Sequence, residues 1–548
     1  MTTRNSSLKV ENLDHLGLVA GIIDELEIVE AINQLVGVEA GEIVTAGQIV
    51  KAIIINGLGF ISQPLYLFPQ FFQGKATEHL LGEGVLPEYL NDDKIGRVMD
   101  KLFLKGLTDV FLLIALKTIK KYGIDTKYLH LDSTSFSLEG DYENKDSSFK
   151  VVINKKSSDS EQKNLDDQEQ YLRPEPIKIT PGYSRDHRPD LKQFILDLIV
   201  SGDGDVPLFL RAADGNESDK AVFGKILAQF SLQIDWDSIW VADSALYSQG
   251  NLLLIKDLKW ITRVPLSIKA AQHLVTTIES KELVISQITG YAFVEKTSNY
   301  GGVEQRWLII ESEKRKQSDL QKLEKKIKQE ELKAQKQLSQ FSRQKFESAA
   351  GAKEILKSLN NQLKYHQFQL INIRLTENNS YEIQAKCEQN TQIISRKKKQ
   401  AGRFILATNI VDNQQLSAEE MLRAYKEQQA VERGFSFLKD PLFFADSVFI
   451  KTPERIETMA MLMGLCLLVY TIAQRQLRRQ LIQCNTGLKN QLGKLTLRPT
   501  LRWIFQCFQG IHVVFLKGVK QIVNLTDDRW WTLSFFPESV QKYYLLSG

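Results

Sequence analysis

The spacing of apolar residues changes near residue 126, and this change constrains the fold more than any other feature of the chain. Before it, Leu18, Ile22 and Leu26 are four residues apart, as on one face of an amphipathic helix. Thr45 precedes a further apolar run and has the chemistry of a helix N-cap. We therefore expect an all-helical N-terminal domain over residues 1–125.

After residue 126 the apolar residues alternate with a period of two, which is typical of strands. The stretch 128–138 reads "YLHLDSTSFSL", and the stretches 193–201 and 206–215 follow as two more strands. The residues between the last two, Gly-Asp-Gly-Asp at 202–205, predict a hairpin turn. A helix, a buried strand "SIWVADSAL", a helix from about Tyr247 and a strand "WITRVP" come next. Such an order predicts an α/β fold with a mixed sheet.

Composition limits the class of protein. The chain has 548 residues, of which 43% are hydrophobic and 25% charged, and it carries a net charge of +4. These values describe a soluble globular protein of several domains. Four scattered cysteines give no zinc or disulfide pattern and fit a reducing cytoplasm. The apolar segment 457–473 is too short for a membrane span, so we expect a buried core helix there.

Residues 271–400 differ in character from the segments on either side. Short strands flank a charged helical stretch at 313–347, in which an apolar residue recurs every seven positions from Leu320 to Phe341. A second helical run follows, so we expect a helical hairpin. Its lysines, together with "RKKK" at 396–399, form either a solvated face or a basic arm for a phosphate backbone.

Two aspartates stand out on the predicted strands. Asp132 shares a strand face with Phe136 and Leu138, and a carboxylate on a largely apolar face must be paired, neutralised or bound to metal. Asp243 stands where a buried strand ends, a frequent place for ligand-binding residues in α/β sheets. It could equally be the N-cap of the following helix.

A third carboxylate lies in the stretch "EEMLRAYKEQQAVERGFSFLKDPLF". At the helical turn of about 100° per residue, Tyr425, Gln428, Glu432 and Lys439 fall within a sector of roughly 60° beside an apolar stripe. The alternative is an ordinary solvated helix face. Three carboxylates on two strands and one helix suit phosphoryl transfer by two divalent cations about 3.5–4 Å apart, which prefer oxygen ligands.

These motifs and their order resemble those of the bacterial insertion-sequence DDE transposases with a ribonuclease H-like core and the signature Y-x2-R-x3-E-x6-K. The matching run here is Tyr425-x2-Gln428-x3-Glu432-x6-Lys439, and "HLDSTSFSL", "GYSRDHRPDLKQ", "RAADGNESD" and "WVADSALYS" also match. The resemblance covers roughly residues 90–540. The opening "LDHLGLVAGIIDELEI" resembles a domain often attached to these enzymes.

The resemblance implies that Asp132, Asp243 and Glu432 are the catalytic, metal-binding triad, with two Mg²⁺ ions per active site and Mn²⁺ as a substitute. Tyr425, Gln428 and Lys439 would contact DNA. Gln428 departs from the signature, which has arginine, and an amide cannot form a charged fork on phosphate. The loop "GYSRDHRPDLKQ" adds four further expected DNA contacts: Arg185, His187, Arg188 and Lys192.

The implied protein is a cytoplasmic, nucleoid-associated transposase that cuts and joins DNA at terminal inverted repeats, as a homodimer on double-stranded DNA and without a membrane. Its expected parts are an N-terminal domain at 1–125, a ribonuclease H-like core at 126–270 and 401–480, an insertion domain at 271–400 and a C-terminal segment at 481–548. The alternative is a catalytically inactive DNA-binding descendant. A phosphatase of the aspartyl-phosphate type is disfavoured, because "LDSTS" lacks the second aspartate of D-x-D-x-T.

Overall fold

The chain forms two compact units. The computed structural model describes residues 8–60, 64–140, 142, 174–184, 188–234, 236–375, 380–441, 450–516 and 519–545. The first unit comprises Met1–Val241 and Glu427–Gly548, and the second comprises Ala242–Lys426. Most of the loop predicted at 143–180 lies outside the described residues.

The first unit is mixed α/β. Its helices are α1 Leu16–Glu25, α2 Ile28–Val36, α3 Ala46–Gly57, α4 Phe68–Phe72, α5 Thr77–Leu81, α6 Asp92–Phe103, α7 Leu107–Tyr122, α8 Asp219–Gln233, α15 Gln429–Leu438, α16 Pro453–Gln483, α17 Leu501–Cys507, α18 Asp527–Leu533 and α19 Glu538–Gln541. Its strands are β1 Lys9–Asn12, β2 Tyr128–Leu138, β3 Lys192–Ser201, β4 Pro207–Ala213, β5 Ile239–Ala242, β13 Leu488–Lys489, β14 Leu495–Thr496, β15 His512–Leu516 and β16 Val519–Val523. Only the last residue of β5 belongs to the second unit.

The main sheet of this unit has the strand order β4-β3-β2-β5. Strands β2 and β3 pair antiparallel from Leu129–Ser201 to Leu138–Lys192, and β3 and β4 form the predicted hairpin. The Ile239 N–H, at the start of β5, donates to the Lys127 carbonyl just before β2, at 2.8 Å. The neighbours β2 and β5 therefore start at the same level and run in the same direction, which makes the sheet mixed.

Helix α16 is the core helix of the first unit. It is long and apolar enough to resemble a membrane span, but 89% of its most apolar window is buried inside the protein. It packs on β4 and on several N-terminal helices, and an added Cβ at Gly464 would lie 2.5 Å from Leu210 Cδ1. The prediction of a buried core helix at 457–473 is confirmed.

The expectation of an all-helical N-terminal segment needs one correction. Helices α1 to α7 account for most of it, and Thr45 forms the predicted N-cap with a full capping box to Gln48. However, the short strand β1 pairs with β15, near the C-terminus, in a three-stranded sheet β1-β15-β16. A strand of four residues paired with a segment so distant along the chain has too little local pattern to be predicted from sequence.

The second unit combines sheet strands with a helical part. Its helices are α9 Gln249–Leu254, α10 Lys269–Thr277, α11 Glu313–Phe341, α12 Ala349–Asn361, α13 Thr391–Gln400 and α14 Ala418–Lys426. Its strands are β6 Lys259–Val264, β7 Val284–Ile285, β8 Tyr291–Tyr300, β9 Val303–Ser312, β10 His366–Leu375, β11 Tyr381–Gln389 and β12 Arg403–Thr408. The strand order is β6-β12-β9-β8-β7, and β10 and β11 form a separate two-stranded sheet.

The predicted helical hairpin is present as α11 and α12, but it is not a two-helix structure alone. Both helices pack on the β10–β11 ribbon around a small core that includes Ala334, Phe341, Leu356 and Phe368. The heptad positions Ala334 and Phe341 are buried, as their spacing predicts. The ribbon completes a core that the two helices do not enclose by themselves.

Candidate active site

Asp132 lies in the middle of β2 and is half-buried. Its Oδ1 accepts a hydrogen bond of 2.8 Å from the Ser133 N–H. The next residue faces the other side of the sheet, where Ser133 Oγ donates to Asp219 Oδ1 at 2.6 Å. Because successive residues of a strand face opposite sides of the sheet, the Asp132 carboxylate is on a side in contact with solvent. The hydrogen-bonded pair of Ser133 and Asp219 is on the other side.

Asp243 follows β5 directly and opens the second unit. The strand is shorter than "SIWVADSAL" suggested and ends at Ala242. The N-cap of α9 is Ser248, whose hydroxyl accepts from the Asn251 N–H, so the N-cap alternative for Asp243 is wrong. Instead Asp243 Oδ1 accepts from the Ala245 N–H at 2.8 Å, which fixes the turn after the strand.

The stretch that carries the third carboxylate is not one continuous helix. Helix α14 ends at Lys426 in the second unit, and α15 begins at Gln429 in the first. The prediction of one sector for all four residues is wrong for Tyr425, which the break separates from the others, whereas Gln428, Glu432 and Lys439 belong to α15 and its two caps. Glu432 is exposed in the first turn of α15.

Helix α15 packs on β2 and β3, and Gln428 helps to fix it there. Gln428 is only 8% exposed, and its Nε2 donates to the Leu131 carbonyl at 2.9 Å. Its Oε1 lies 3.2 Å from His130 Nδ1. Because the amide nitrogen must face the carbonyl, the amide oxygen accepts from His130, which then carries its proton on Nδ1. Gln428 thus links the start of α15 to the peptide bond between Leu131 and Asp132.

His130 is neutral in this arrangement. Its side chain is fully buried, and burial lowers its pKa to about 4, although the hydrogen bond to Gln428 opposes the shift. Among the described residues its Nε2 has no hydrogen-bond partner. A neutral imidazole that donates from Nδ1 fits the amide of Gln428, so the two side chains form one polar contact within the core.

Lys439, at the C-terminal end of α15, lies over β2. Its Nζ is 5.3 Å from the centre of the Phe136 ring, which stacks on Phe194 at 5.3 Å. Phe136 is on the same strand face as Asp132, because the two residues are four apart on β2. The ammonium group is therefore on the face of the sheet that carries the first predicted carboxylate.

The predicted DNA contacts before β3 are only partly described. Arg185 and His187 lie outside the described residues. Arg188 is exposed and forms a two-point ion pair with Asp190, with Nη2 2.9 Å from Oδ2. Lys192 Nζ donates to the Tyr142 carbonyl at 3.3 Å. Neither cation is held deep in the protein, so both can exchange these partners for a phosphate.

Tyr425 and Asp243 are neighbours within the second unit. Burial raises the pKa of the Tyr425 hydroxyl, the negative charge of Asp243 raises it further, and a hydrogen bond from Arg263 opposes both effects. The Tyr425 ring lies 6.3 Å from that of Phe404. Sequence reasoning missed Arg263, which stands in β6, because only the fold brings it to Tyr425.

Arg433, five residues after Gln428, is already used in an ion pair. Arg433 forms a two-point ion pair with Asp205, at 2.7 and 2.8 Å.

Within the described ranges, no group of three or more histidine, cysteine, aspartate or glutamate side chains is arranged to hold a metal ion. The assignment of Asp132, Asp243 and Glu432 to one metal site stays a prediction.

Comparison with known proteins places the chain in a class and then in a family. By its fold the chain belongs to the class of mixed α/β proteins. The family model described as "Transposase DDE domain" matches residues 129–470, more than half of the chain. The chain belongs to this transposase family. A second model, a domain of unknown function (DUF4277), matches residues 8–116.

Other comparisons add little. A search of curated proteins gives no match. Among solved structures, the cryo-EM structure of a piggyBac transposase synaptic complex with hairpin DNA is similar at 7% sequence identity and a TM-score of 0.39, covering 92% of this chain and 83% of that chain. A TM-score at this level carries no argument about function.

Proposed function

We propose that this chain is the transposase of an insertion sequence: it binds the terminal inverted repeats, cuts the DNA there and joins the released 3′ end to target DNA. The observation that carries the proposal is the match of the transposase DDE domain to residues 129–470. This range contains two aspartates and a glutamate in the order of the letters D, D and E in the family's name: Asp132, Asp243 and Glu432.

The donor set of the proposed triad fits a divalent cation. All three side chains are carboxylates, and each is half-buried or exposed rather than sealed in the core. Hard cations such as Mg²⁺ and Mn²⁺ prefer such oxygen ligands and keep some of their waters, so few carboxylates suffice. When bound, the metal would activate the attacking oxygen and stabilise the leaving oxygen.

The chain's own residues would position the DNA against the triad. Gln428 holds the first turn of α15, and with it Glu432, at the strand that carries Asp132. Charged side chains around these acids would hold the phosphates of the strand that is cut, and hydroxyl and amide groups would add hydrogen bonds. The proposed DNA contacts are Tyr425, Gln428, Lys439, Arg185, His187, Arg188 and Lys192, although the amide of Gln428 already has protein partners on both sides.

We also propose a role for each part of the chain. A ribonuclease H-like core would comprise 126–270 and 401–480, with 271–400 as an insertion domain, 1–125 as a DNA-end-binding domain and 481–548 as a C-terminal segment. An element has two ends and each must be cut, so a homodimer on DNA would supply two active sites. The reaction would take place in the cytoplasm, on nucleoid DNA.

The test is Asp132→Asn with a supercoiled plasmid that carries the element. We expect the wild-type protein to nick the plasmid at the element's ends with Mg²⁺ or Mn²⁺ and not with EDTA. Asp132→Asn should bind end DNA as the wild type does but leave the plasmid intact. Asp257→Asn, which changes an exposed aspartate of the second unit, is the matched control and should cleave normally.

Two results would contradict the proposal. Cleavage by Asp132→Asn at the wild-type rate would remove this carboxylate from the chemistry. A wild-type protein that binds the ends but cuts with neither metal would instead be the inactive DNA-binding descendant.

A further inference from the structure

Two arginines of the second unit gather at one aromatic ring. The ring of Phe404, on β12, lies 5.8 Å from the guanidinium carbon of Arg263 and 5.7 Å from that of Arg315. Arg263 stands on the adjacent strand β6, where its backbone neighbour across the pair is Leu406, and Arg315 stands in the first turn of α11. Three separate elements thus bring two like charges to one place.

Tyr425 and Asp243 belong to the same neighbourhood. The positive charge of Arg263 and the negative charge of Asp243 are both close enough to act on the Tyr425 hydroxyl. One of the proposed metal ligands therefore lies beside a tyrosine of the family signature and an arginine that the signature does not include.

Two carboxylates are near this cluster: Asp243, whose charge acts on Tyr425, and Asp319. The hydroxyl of Tyr425 is neutral and cannot compensate Arg263. Arg315 Nε lies 3.8 Å from Asp319 Oδ2, but both side chains are about 40% exposed, and solvent screens such a pair. Holding two guanidinium groups near one another is unfavourable without an anion, so the cluster is suited to receive one.

Contact with an aromatic ring does not use up the hydrogen-bond donors of a guanidinium group. A guanidinium on the face of an aromatic ring keeps its N–H groups at its edge, where they can form a two-point contact with phosphate oxygens. Phe404 is 7% exposed and fixed in its sheet, so it is a rigid support for both arginines. Gln428, by contrast, has its amide turned toward Leu131 and His130.

We propose that Arg263 and Arg315, supported by Phe404 and assisted by Tyr425, bind a backbone phosphate of the DNA strand beside Asp243. They take the part that the family signature gives to an arginine at position 428. This inference rests on the proposed function, because it supplies that site with a phosphate-binding pair. The ligand is a phosphodiester of DNA, recognised by charge and geometry and not by base sequence.

The experiment measures DNA binding without metal. The full-length variants Arg263→Met, Arg315→Met and Arg263→Lys are titrated with a fluorescent duplex of the element's terminal sequence and with a scrambled duplex, in EDTA and at several salt concentrations. Each methionine variant should weaken binding by roughly tenfold or more, equally on both duplexes. The slope of log affinity against log salt should fall by about one for each arginine removed.

Controls separate the pair from general charge and from folding. Arg374→Met removes an exposed arginine of the same unit on β10 and should bind as the wild type does. Arg263→Lys keeps the charge but not the planar fork, so its affinity should fall between those of the wild type and Arg263→Met. Arg315 is exposed, so its substitution tests the proposal even if a change at half-buried Arg263 disturbs folding.

Wild-type affinity and salt dependence in both methionine variants would overturn the inference. Equal affinity of Arg263→Lys and the wild type would overturn the two-point contact. If the variants behave as expected but the wild type cuts no DNA with metal, the proposed chemistry fails and the phosphate site stands. If the wild type cuts DNA and the variants bind normally, the inference alone fails.

Discussion

The ion pair between β3 and β4 gives a sharp test of how the first unit is stabilised. Asp197, on β3, is completely buried, and Arg211 Nε and Nη2 on β4 lie 2.8 and 2.7 Å from its Oδ2. Arg211 also pairs with Glu217. We consider Arg211→Met, which keeps much of the side-chain volume but removes the charge.

The substitution should cost about 3–5 kcal/mol of unfolding free energy, because it removes the positive charge of Arg211 from a buried carboxylate. Only part of this cost is the lost attraction. The larger part is the desolvation of Asp197, which the wild-type pair offsets and the variant does not. Glu217, whose pKa burial already raises, would add a second poorly compensated acid.

The loss should depend on pH. Burial already raises the pKa of Glu217, and without the opposing charge of Arg211 that pKa rises further, so the folded variant binds more protons than the unfolded chain. Its stability is then greatest at acidic pH and falls as pH rises through the raised folded pKa. The difference between wild type and variant should therefore be smaller at mildly acidic pH than at neutral pH.

Urea unfolding, monitored by circular dichroism at several pH values, measures both effects. Arg188→Met is the matched control: Arg188 makes the same two-point contact with Asp190, but the side chains are 49% and 59% exposed. Its midpoint should not change measurably. Equal midpoint shifts for Arg211→Met and Arg188→Met, or a loss for Arg211→Met that is independent of pH, would refute the reasoning.

Two further predictions concern buried polar groups. Gln428→Met leaves the Leu131 carbonyl and His130 Nδ1 without their partner and should cost about 1–3 kcal/mol in urea unfolding; an unchanged midpoint would show that water replaces the amide. Burial raises the pKa of Glu457 to about 8 from an ordinary 4.5, so wild-type stability should fall as pH rises between these values. Glu457→Gln stays neutral and should flatten that fall in a melting-temperature profile, whereas parallel profiles for the two proteins would contradict the assignment.

Several elements of the fold could be predicted from the sequence because residues close together in the chain determine them. The strand expected at 128–138 is β2, residue for residue, because its alternation and β-branched and aromatic content specify a strand without outside help. The hairpin between β3 and β4 and the capping box at Thr45 were predictable for the same reason. Each is fixed by residues within a few positions of one another.

The residues of the candidate site stay a prediction from the sequence, and the contacts that the structure shows around them could not be predicted. The break between α14 and α15 carries no glycine or proline, so periodicity extended one helix through it. The inward turn of Gln428 depends on His130 and Leu131, which are distant in sequence. No local pattern encodes such a pairing, and only the packing of α15 on β2 reveals it.

The same two observations explain how this chain can depart from the family signature. An arginine at position 428 would put a permanent charge where the fold places a buried amide between a neutral imidazole and a carbonyl, and a guanidinium has no acceptor for the His130 proton. Retaining that contact and binding phosphate are therefore incompatible tasks for one side chain. In the second unit, Arg263 and Arg315 stand on rigid elements beside Tyr425 and need no such compromise. If the inferred pair binds DNA, Gln428 marks a site whose phosphate contact has moved to another strand, and reinstating arginine there should cost stability without raising DNA affinity.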